Sequence, residues 1–106
     1  MTSGTYYGNC PADVADALTN ILRESILLIR MAGNADNADY CAAEANHIHN
    51  LPSLLRCYDR AKMQRYLAWA QTDYMSDFRE RFHRQPTEFV SQWQRLEKFL
   101  SDTEMK

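Results

Sequence analysis

The chain has 106 residues, of which 45% are hydrophobic and 25% are charged, and its formal net charge at pH 7 is −2. This length and composition are typical of one globular domain with a single core. Three glycines and three prolines are too few for the tight turns of an all-β protein, and there is no basic stripe of the kind that binds nucleic acid. We therefore predict an all-α domain and do not expect nucleic acid as its partner.

Residues 1–9 are polar and lack periodicity, so we predict a flexible N-terminal lead. The first helix is predicted over about residues 11–32. Pro11 suits the first helical position, where its missing N–H carries no penalty. Gly33 and Asn34 form a typical stop signal.

The first helix has a seam of apolar or small residues at alternating steps of three and four, which is typical of a bundle helix. The seam consists of Val14, Leu18, Ile21, Ser25, Leu28 and Ala32. Ile26 and Leu27 lie off this seam, so the apolar arc is wider than one facing helix requires. This extra width suggests a surface for self-association or for a partner.

The second helix is predicted over about residues 37–49, with Asp36 as its N-cap. We place its small residues inward, together with one imidazole: Ala38, Cys41, Ala42, Ala45 and His49. The outer face then carries Tyr40, Glu44 and His47. At about 100° per residue, His47 and His49 point in nearly opposite directions. This wheel predicts a buried His49 and a solvent-exposed His47.

A structural turn formed by His49, Asn50 and Pro52 is predicted to follow, because a residue before proline disfavours helical dihedral angles. The third helix is then predicted over about residues 53–83. It either runs unbroken from Pro52 or is interrupted near residue 58, where Asp59 would cap a new helix. We prefer the interrupted form, because Asp is a better cap than interior residue.

The third helix carries one broad apolar stripe, formed by Met63, Tyr66, Leu67, Ala70, Tyr74, Phe78 and Phe82. A fourth helix is predicted over about residues 88–101, with Phe89, Trp93, Leu96 and Leu100 inward. Residues 103–106 are expected to fray. Residues 10–102 should thus form a single domain, and four amphipathic helices with short connections favour an antiparallel four-helix bundle.

The cysteines at positions 10, 41 and 57 are odd in number and widely spaced, which favours neither a disulfide framework nor a zinc motif. Free thiols favour a reducing compartment. The N-terminus lacks the pattern of a signal peptide, and the longest apolar run is too short to span a bilayer. We therefore expect a cytoplasmic protein without a membrane partner.

Catalytic chemistry finds little support in the sequence. Glu44 and His47 have the Glu-x-x-His spacing of di-iron bundles, but those sites need a second copy and two more carboxylates. Cys41 and Cys57 are placed on apolar faces, where thiols are inert. We predict no enzyme, no cofactor and no metal site. The alternative is a metal-binding bundle that uses Glu44, His47 and His49.

The start of the third helix carries a basic cluster of Arg56, Arg60, Lys62 and Arg65 with aromatic residues nearby, and one interpretation of it is a partner-binding surface. Tryptophan and arginine together are the composition of interface hot spots. The predicted partner-binding residues are Tyr40, His47, Arg56, Arg60, Arg65 and Trp69. An ordinary solvated face is the preferred interpretation of these charges, since acidic residues are interspersed.

The run from Glu44 to Leu55, which contains His-Ile-His-Asn-Leu-Pro, resembles a group of small, uncharacterised proteobacterial proteins. The resemblance covers about residues 36–70 and implies a helical fold, but no catalytic role. By size and class the chain is also similar to bacterial immunity proteins, which neutralise toxins. We therefore predict a non-enzymatic bacterial protein-binding domain, immunity-like or self-associating, whose partner is a toxin domain or a second copy of the chain.

Overall fold

The computed structural model describes the backbone of residues 9–32 and 38–104, and the side chains in these ranges except 31–32, 38–43 and 104. Its helices are α1 (Ala12–Ala32), α2 (Ala38–Arg56), α3 (Arg60–Trp69), a π-helical segment (Ala70–Tyr74), α4 (Met75–Phe82) and α5 (Thr87–Glu104). The predicted lead, the stop signal at Gly33 and Asn34, and the Asp36 cap lie outside the described residues, except for Asn9.

The helices form the predicted all-α bundle, and adjacent helices in the bundle run antiparallel to each other. Asn20 of α1 bonds Gln92 of α5 at 3.4 Å, and Asp16, one turn earlier, pairs with Arg95 at 3.0 Å. The start of α3 meets the end of α5, where Arg60 donates to a backbone carbonyl at 2.9 Å. Helix α1 therefore packs between α2 and α5, and α3 runs parallel to α1.

One apolar cluster fills the centre of the bundle. The predicted seam of α1 is buried through Leu28, as are the inward residues of α5 and the stripe of the third helix up to Phe78. Phe82 is the exception in that stripe, since 36% of its surface is exposed. Ile26 and Leu27, which were predicted to widen the apolar arc of α1, are 43% and 45% exposed.

Helix α2 continues through Pro52 to Arg56, so the predicted turn at His49, Asn50 and Pro52 is wrong. A proline inside a helix costs about 3 kcal/mol, because it removes one backbone hydrogen bond and crowds the preceding turn. The continued helix buries Leu51, Leu54 and Leu55 on one face, and burying each stabilises the fold by about 1.5–3 kcal/mol. Their burial outweighs the local penalty.

The uninterrupted helix also reverses the predicted faces of α2. Its inner face is Glu44, His47, Leu51 and Leu54, at steps of three, four and three, whereas His49 is exposed. The buried leucines fix which side of α2 faces the core. Because the helix is continuous through Pro52, His47 lies on the same side. Ala45, which was predicted to face inward, is exposed, and the side chains of Ala38, Cys41 and Ala42 lie outside the described residues.

The break between α2 and α3 lies at residues 57–59, as in the preferred alternative. The Asp59 carboxylate accepts a hydrogen bond from the Lys62 backbone N–H at 2.9 Å, which confirms the predicted N-cap. Cys57 lies in this break and is exposed, so its predicted place on an apolar face is wrong. The reason is that α2 ends one residue before it.

A π-helical segment at Ala70–Tyr74 joins α3 to α4 and was not predicted. Residues four apart drift by about 40° around an ordinary α-helix, because it has 3.6 residues per turn. The wider turn reduces this drift and keeps Ala70, Tyr74 and Phe78 on the buried side. Single π turns of this kind often occur at functional sites.

The ends of the last two helices are close to the predicted ones. Helix α4 ends at Phe82 and is capped by His83, which has a left-handed backbone with φ of 56° and donates its N–H to the Arg79 carbonyl. Helix α5 continues to Glu104, beyond the predicted end near residue 101. Thr103 belongs to this extension, and its hydroxyl accepts a hydrogen bond from Arg60 at 2.8 Å.

Candidate functional site

A group of polar side chains from five helical elements meets inside the core, and we call it the His47 cluster. Its members are Ser25 of α1, Glu44 and His47 of α2, Tyr66 of α3, Tyr74 of the π-helical segment and Trp93 of α5. Glu44 and His47 are both 0% exposed, although the sequence predicted them on the outer face. Their burial follows from the phase of α2, and it brings together residues far apart in the chain.

His47 uses both ring nitrogens inside the protein. Its Nδ1 lies 2.8 Å from the Ser25 hydroxyl oxygen and 3.3 Å from Glu44 Oε1, and its Nε2 lies 2.9 Å from the Tyr66 hydroxyl. The Tyr66 hydroxyl also accepts a hydrogen bond from Trp93 Nε1–H at 3.0 Å. A continuous hydrogen-bonded chain therefore runs across the bundle from α1 to α5.

The hydroxyl of Tyr66 fixes the tautomer of His47. A tyrosine hydroxyl has one proton to donate, and its oxygen already accepts from Trp93. Among the described residues, His47 Nε2 is the acceptor within reach of that proton. We therefore assign a neutral imidazole that accepts at Nε2 and donates from Nδ1. This assignment leaves no proton of the Tyr66 hydroxyl or of the imidazole without an acceptor.

The carboxylate of Glu44 is held by two donors from different elements. Tyr74 donates its hydroxyl proton to Oε2, and His47 Nδ1–H faces Oε1. A buried carboxylate needs such donors, because burial without them costs several kcal/mol. The π-helical segment is what turns the Tyr74 hydroxyl toward this carboxylate.

Burial raises the pKa of Tyr66 far above its ordinary value, and the nearby Glu44 carboxylate raises it further. The hydrogen bond from Trp93 acts in the opposite direction but is outweighed. Tyr66 is therefore a neutral phenol at physiological pH. Its role in the cluster is to donate and accept hydrogen bonds as a neutral group.

Aromatic rings close the His47 cluster off from solvent. The imidazole centroid lies 4.6 Å from that of Tyr74 and 5.3 Å from those of Trp69 and Phe89, the last ring being stacked on it. Tyr66 completes the cage at 5.6 Å. The enclosure leaves the imidazole no open side for a substrate.

The cluster also differs from a nucleophilic triad. In a serine triad the hydroxyl and the carboxylate bond opposite nitrogens of the imidazole. Here Ser25 and Glu44 both lie against Nδ1, and all three groups are fully buried. The arrangement suits a structural network that fixes the helices in register.

The metal triad of the alternative interpretation, Glu44, His47 and His49, does not come together. His49 is exposed, while the other two are buried. Over residues 9–32 and 38–104, no group of three or more His, Cys, Asp or Glu side chains is placed to hold a metal ion. The two imidazoles do diverge as predicted, but the buried one is His47.

A groove between α2 and α3 opens on the other side of the aromatic cage, and we call it the α2–α3 groove. Its volume is about 320 Å³, and its lining residues are Asn50, Ser53, Leu54, Lys62, Arg65, Tyr66 and Trp69. Tyr66 and Trp69 belong both to this lining and to the cage around His47. The floor of the groove is thus attached to the buried network.

The charge of the α2–α3 groove is positive. Lys62 and Arg65 are exposed, and neither side chain has an ion-pair partner in the part of the chain that the structure describes. None of the lining residues is acidic. The nearest carboxylate in sequence is that of Asp59, and it accepts a hydrogen bond from the backbone N–H of Lys62 at the start of α3.

The predicted partner-binding residues do not form one surface. Arg65 and Trp69 line the α2–α3 groove, whereas Arg60 binds the end of α5. Arg56 is exposed at the end of α2. His47 is fully buried, so its predicted contact with a partner is wrong; Tyr40 has its side chain outside the described residues.

Sequence reasoning missed most of the groove. Asn50 was assigned to a turn and Ser53 was given no role, whereas Lys62 was recognised as part of the basic cluster. Spacing could have found them, because residues 62, 65, 66 and 69 share one face of α3 and residues 50, 53 and 54 share one face of α2. That signal becomes visible only once α2 is continued through Pro52.

Within the described residues, no helix combines the length and the apolar content that crossing a membrane requires. Comparison of the chain with models of protein families, with curated proteins and with solved structures gives no match in any of the three.

Proposed function

We propose that this chain is a non-enzymatic protein-binding helical domain that holds a protein partner in the α2–α3 groove. The observation that carries this proposal is the groove itself, in which a half-buried tryptophan lies beside two exposed cations without acidic partners. Tryptophan and arginine in a depression are the usual anchors of a protein interface.

Trp69 has the properties of such an anchor. Its ring packs against Tyr74 at 5.4 Å and against His47 at 5.3 Å, while part of it remains open to solvent. A ring already fixed in place loses little conformational entropy when a partner covers it. A new contact on Trp69 would therefore contribute most of its burial energy to binding.

The His47 cluster supports the same role. Because the Tyr66 hydroxyl is held between His47 and Trp93, the groove wall that Tyr66 forms is rigid. The reactive atoms of the cluster are all engaged with one another inside the core. This arrangement favours a preformed binding surface over a reaction centre.

A larger surface depression of about 540 Å³ lies beside α4, and it is a weaker candidate for the binding site than the α2–α3 groove. It is lined by charges of both signs, since Glu80 lies among Arg79 and Arg84. Arg84 is moreover stacked on Phe78 at 5.1 Å. The negative charge of Glu80 offsets part of the positive charge there, so the depression offers a partner a less uniform charge than the groove does.

Site-specific photo-crosslinking in the cells that naturally make this protein tests the proposal. A photoreactive residue at Ser53 should give a defined crosslinked species, and one at the exposed Arg23 of α1 should give none. Lys62→Glu with Arg65→Glu should abolish the product. Mass spectrometry of the product identifies either a different protein or a second copy of this chain. Absence of any product at position 53 would contradict the proposal.

A further inference from the structure

We infer that the α2–α3 groove binds an extended acidic segment of the partner, which carries a large apolar side chain about three residues beyond its carboxylates. This inference deepens the proposed function and rests on it. The carboxylates would lie over Lys62 and Arg65, and the apolar side chain would lie against Trp69.

Charge complementarity selects the acidic part of this segment. Two exposed cations face the groove, and no lining residue carries a negative charge. The groove also begins at the first turn of α3, where the helix dipole is positive. An incoming carboxylate therefore gains attraction there, and a cationic segment would meet like charges at the same place.

The length of the groove sets the spacing. From Lys62 to Trp69 along α3 is seven residues, or about 10 Å at 1.5 Å per residue. An extended peptide covers the same distance in about three residues. One segment can therefore place an acidic side chain at the cationic end and an apolar side chain on Trp69.

Polar groups on the facing wall suit the backbone of such a segment. Asn50 and Ser53 project from α2 into the groove, where an amide and a hydroxyl offer both donors and acceptors. Leu54 and Tyr66 supply apolar surface between them. The groove thus combines the features of a peptide site: charge at one end, an aromatic ring at the other and hydrogen-bonding groups between.

A nucleic acid fits these observations less well. Binding to a phosphate backbone draws on a row of basic residues, whereas this groove has two cations and the chain has a net charge of −2. A single aromatic ring also provides little stacking. We therefore commit to a peptide segment and treat an oligonucleotide as an arm of the test.

The test uses the ¹⁵N-labelled full chain and synthetic hexapeptides, with amide resonances followed by NMR. The main peptide has two glutamates, one alanine and one phenylalanine, flanked by glycines. We expect it to shift the amides of Asn50, Lys62 and Trp69. The same peptide with lysines in place of the glutamates should cause no shift there. Replacing the phenylalanine with glycine should weaken binding at least about fivefold.

Charge reversal provides the matched variants. Lys62→Glu with Arg65→Glu should weaken binding of the acidic peptide at least about tenfold and should create binding of the lysine peptide. The control, Arg23→Glu with Arg79→Glu, changes the net charge equally but lies outside the groove. It should leave the affinity within about twofold. All four arginine and lysine side chains are exposed, so neither variant threatens the fold.

Several results would overturn the inference: no groove shift with the acidic peptide, equal binding of the lysine peptide, or unchanged binding after charge reversal. Tighter binding of a thymidine oligonucleotide in the groove would assign it to nucleic acid instead. If the peptides fail while the position-53 crosslink captures a protein, the acidic segment is wrong and the proposed function stands. If both experiments fail, both are wrong.

Discussion

At the scale of single residues, His47 shows how a polar side chain becomes a core residue. Its two nitrogens bond Ser25 and Tyr66 at 2.8 and 2.9 Å, with Glu44 beside them. A buried polar group is tolerated when every donor and acceptor has a partner. In the cluster each of these buried nitrogen and oxygen atoms has at least one partner, and the partners of His47 include side chains 19 and 22 residues away in sequence.

The two histidines of α2 give a direct comparison. We expect His47→Ala to lower the free energy of unfolding by about 2–5 kcal/mol, since it opens a cavity and strands the hydroxyl of Tyr66. His49→Ala should change it by less than about 0.5 kcal/mol, because that side chain is exposed. Urea denaturation followed by far-UV circular dichroism measures both. Equal effects would show that the faces of α2 are wrongly assigned.

The buried Tyr66 makes the stability of the fold depend on pH in the alkaline range. Because its folded pKa is raised, folding favours the protonated phenol, and this contribution is complete below the ordinary pKa of about 10. It is lost as the pH rises from there toward the folded pKa. We expect the melting temperature of the wild type to fall above about pH 10, and Tyr66→Phe to lack this part of the fall. The tyrosines that remain in Tyr66→Phe provide the baseline.

If the two proteins lost stability in parallel above pH 10, the burial of the Tyr66 hydroxyl would be contradicted. At neutral pH, Tyr66→Phe should itself be less stable by about 1–3 kcal/mol, because it leaves His47 Nε2 and Trp93 Nε1 unpaired. The neutral-pH loss and the altered pH profile are separate readouts of the same hydroxyl.

At the scale of elements, α2 is where local preference and tertiary packing disagree. Pro52 indicates a turn when it is considered with its neighbours alone, and the structure places it inside a helix. The apolar residues after Pro52 become buried in the core, and a continuous helix places them on the same face as Glu44 and His47. The π-helical segment likewise serves packing, since it keeps Tyr74 directed at the Glu44 carboxylate.

Replacement of Pro52 by alanine distinguishes a helix from a turn at this position. In a continuous helix, Pro52→Ala restores a backbone hydrogen bond to Ile48, and we expect the free energy of unfolding to rise by about 1–3 kcal/mol. In a turn, the same change would lower it. Thermal unfolding measures the sign, and Asn50→Ala, at an exposed site of the same helix, is the control. A lower melting temperature for Pro52→Ala would refute the continuous helix.

At the scale of the whole molecule, the residues that stabilise the fold and the residues proposed to bind a partner lie in different parts of the protein. The core and the His47 cluster fix how the helices pack, and the α2–α3 groove lies outside them with cations that no described acidic side chain neutralises. Ion pairs elsewhere, such as Arg95 with Asp16 at 3.0 Å, join one helix to another. The free charge of the groove is therefore available to a partner.

Charge reversal should separate these two roles. We expect Lys62→Glu with Arg65→Glu to change the free energy of unfolding by less than about 0.5 kcal/mol, since no ion pair is broken. Arg95→Glu should lower it by up to about 1 kcal/mol, because it removes an exposed pair with Asp16 and sets two carboxylates together. Thermal melts at low salt measure both. A large loss in the groove variant would mean that its cations serve the fold.

Much of the fold was predictable because it depends on local pattern. The apolar steps of α1 and α5, the cap at Asp59 and the break near residue 58 all follow from neighbours within a few positions. The candidate site was only partly predictable: Lys62, Arg65 and Trp69 were recognised by type, while Asn50 and Ser53 were not. Their association requires knowing that α2 passes straight through its proline.

The amino-acid order by itself determined that this chain forms four amphipathic helices, because its apolar residues recur three and four positions apart and so lie on one face of a helix. Only the tertiary structure decided which side of α2 faces inward. Glu44 and His47 are hydrophilic, and no local rule buries them. Partners up to 30 residues away from Glu44 in the chain make their burial favourable, and those partners meet only when the bundle is assembled.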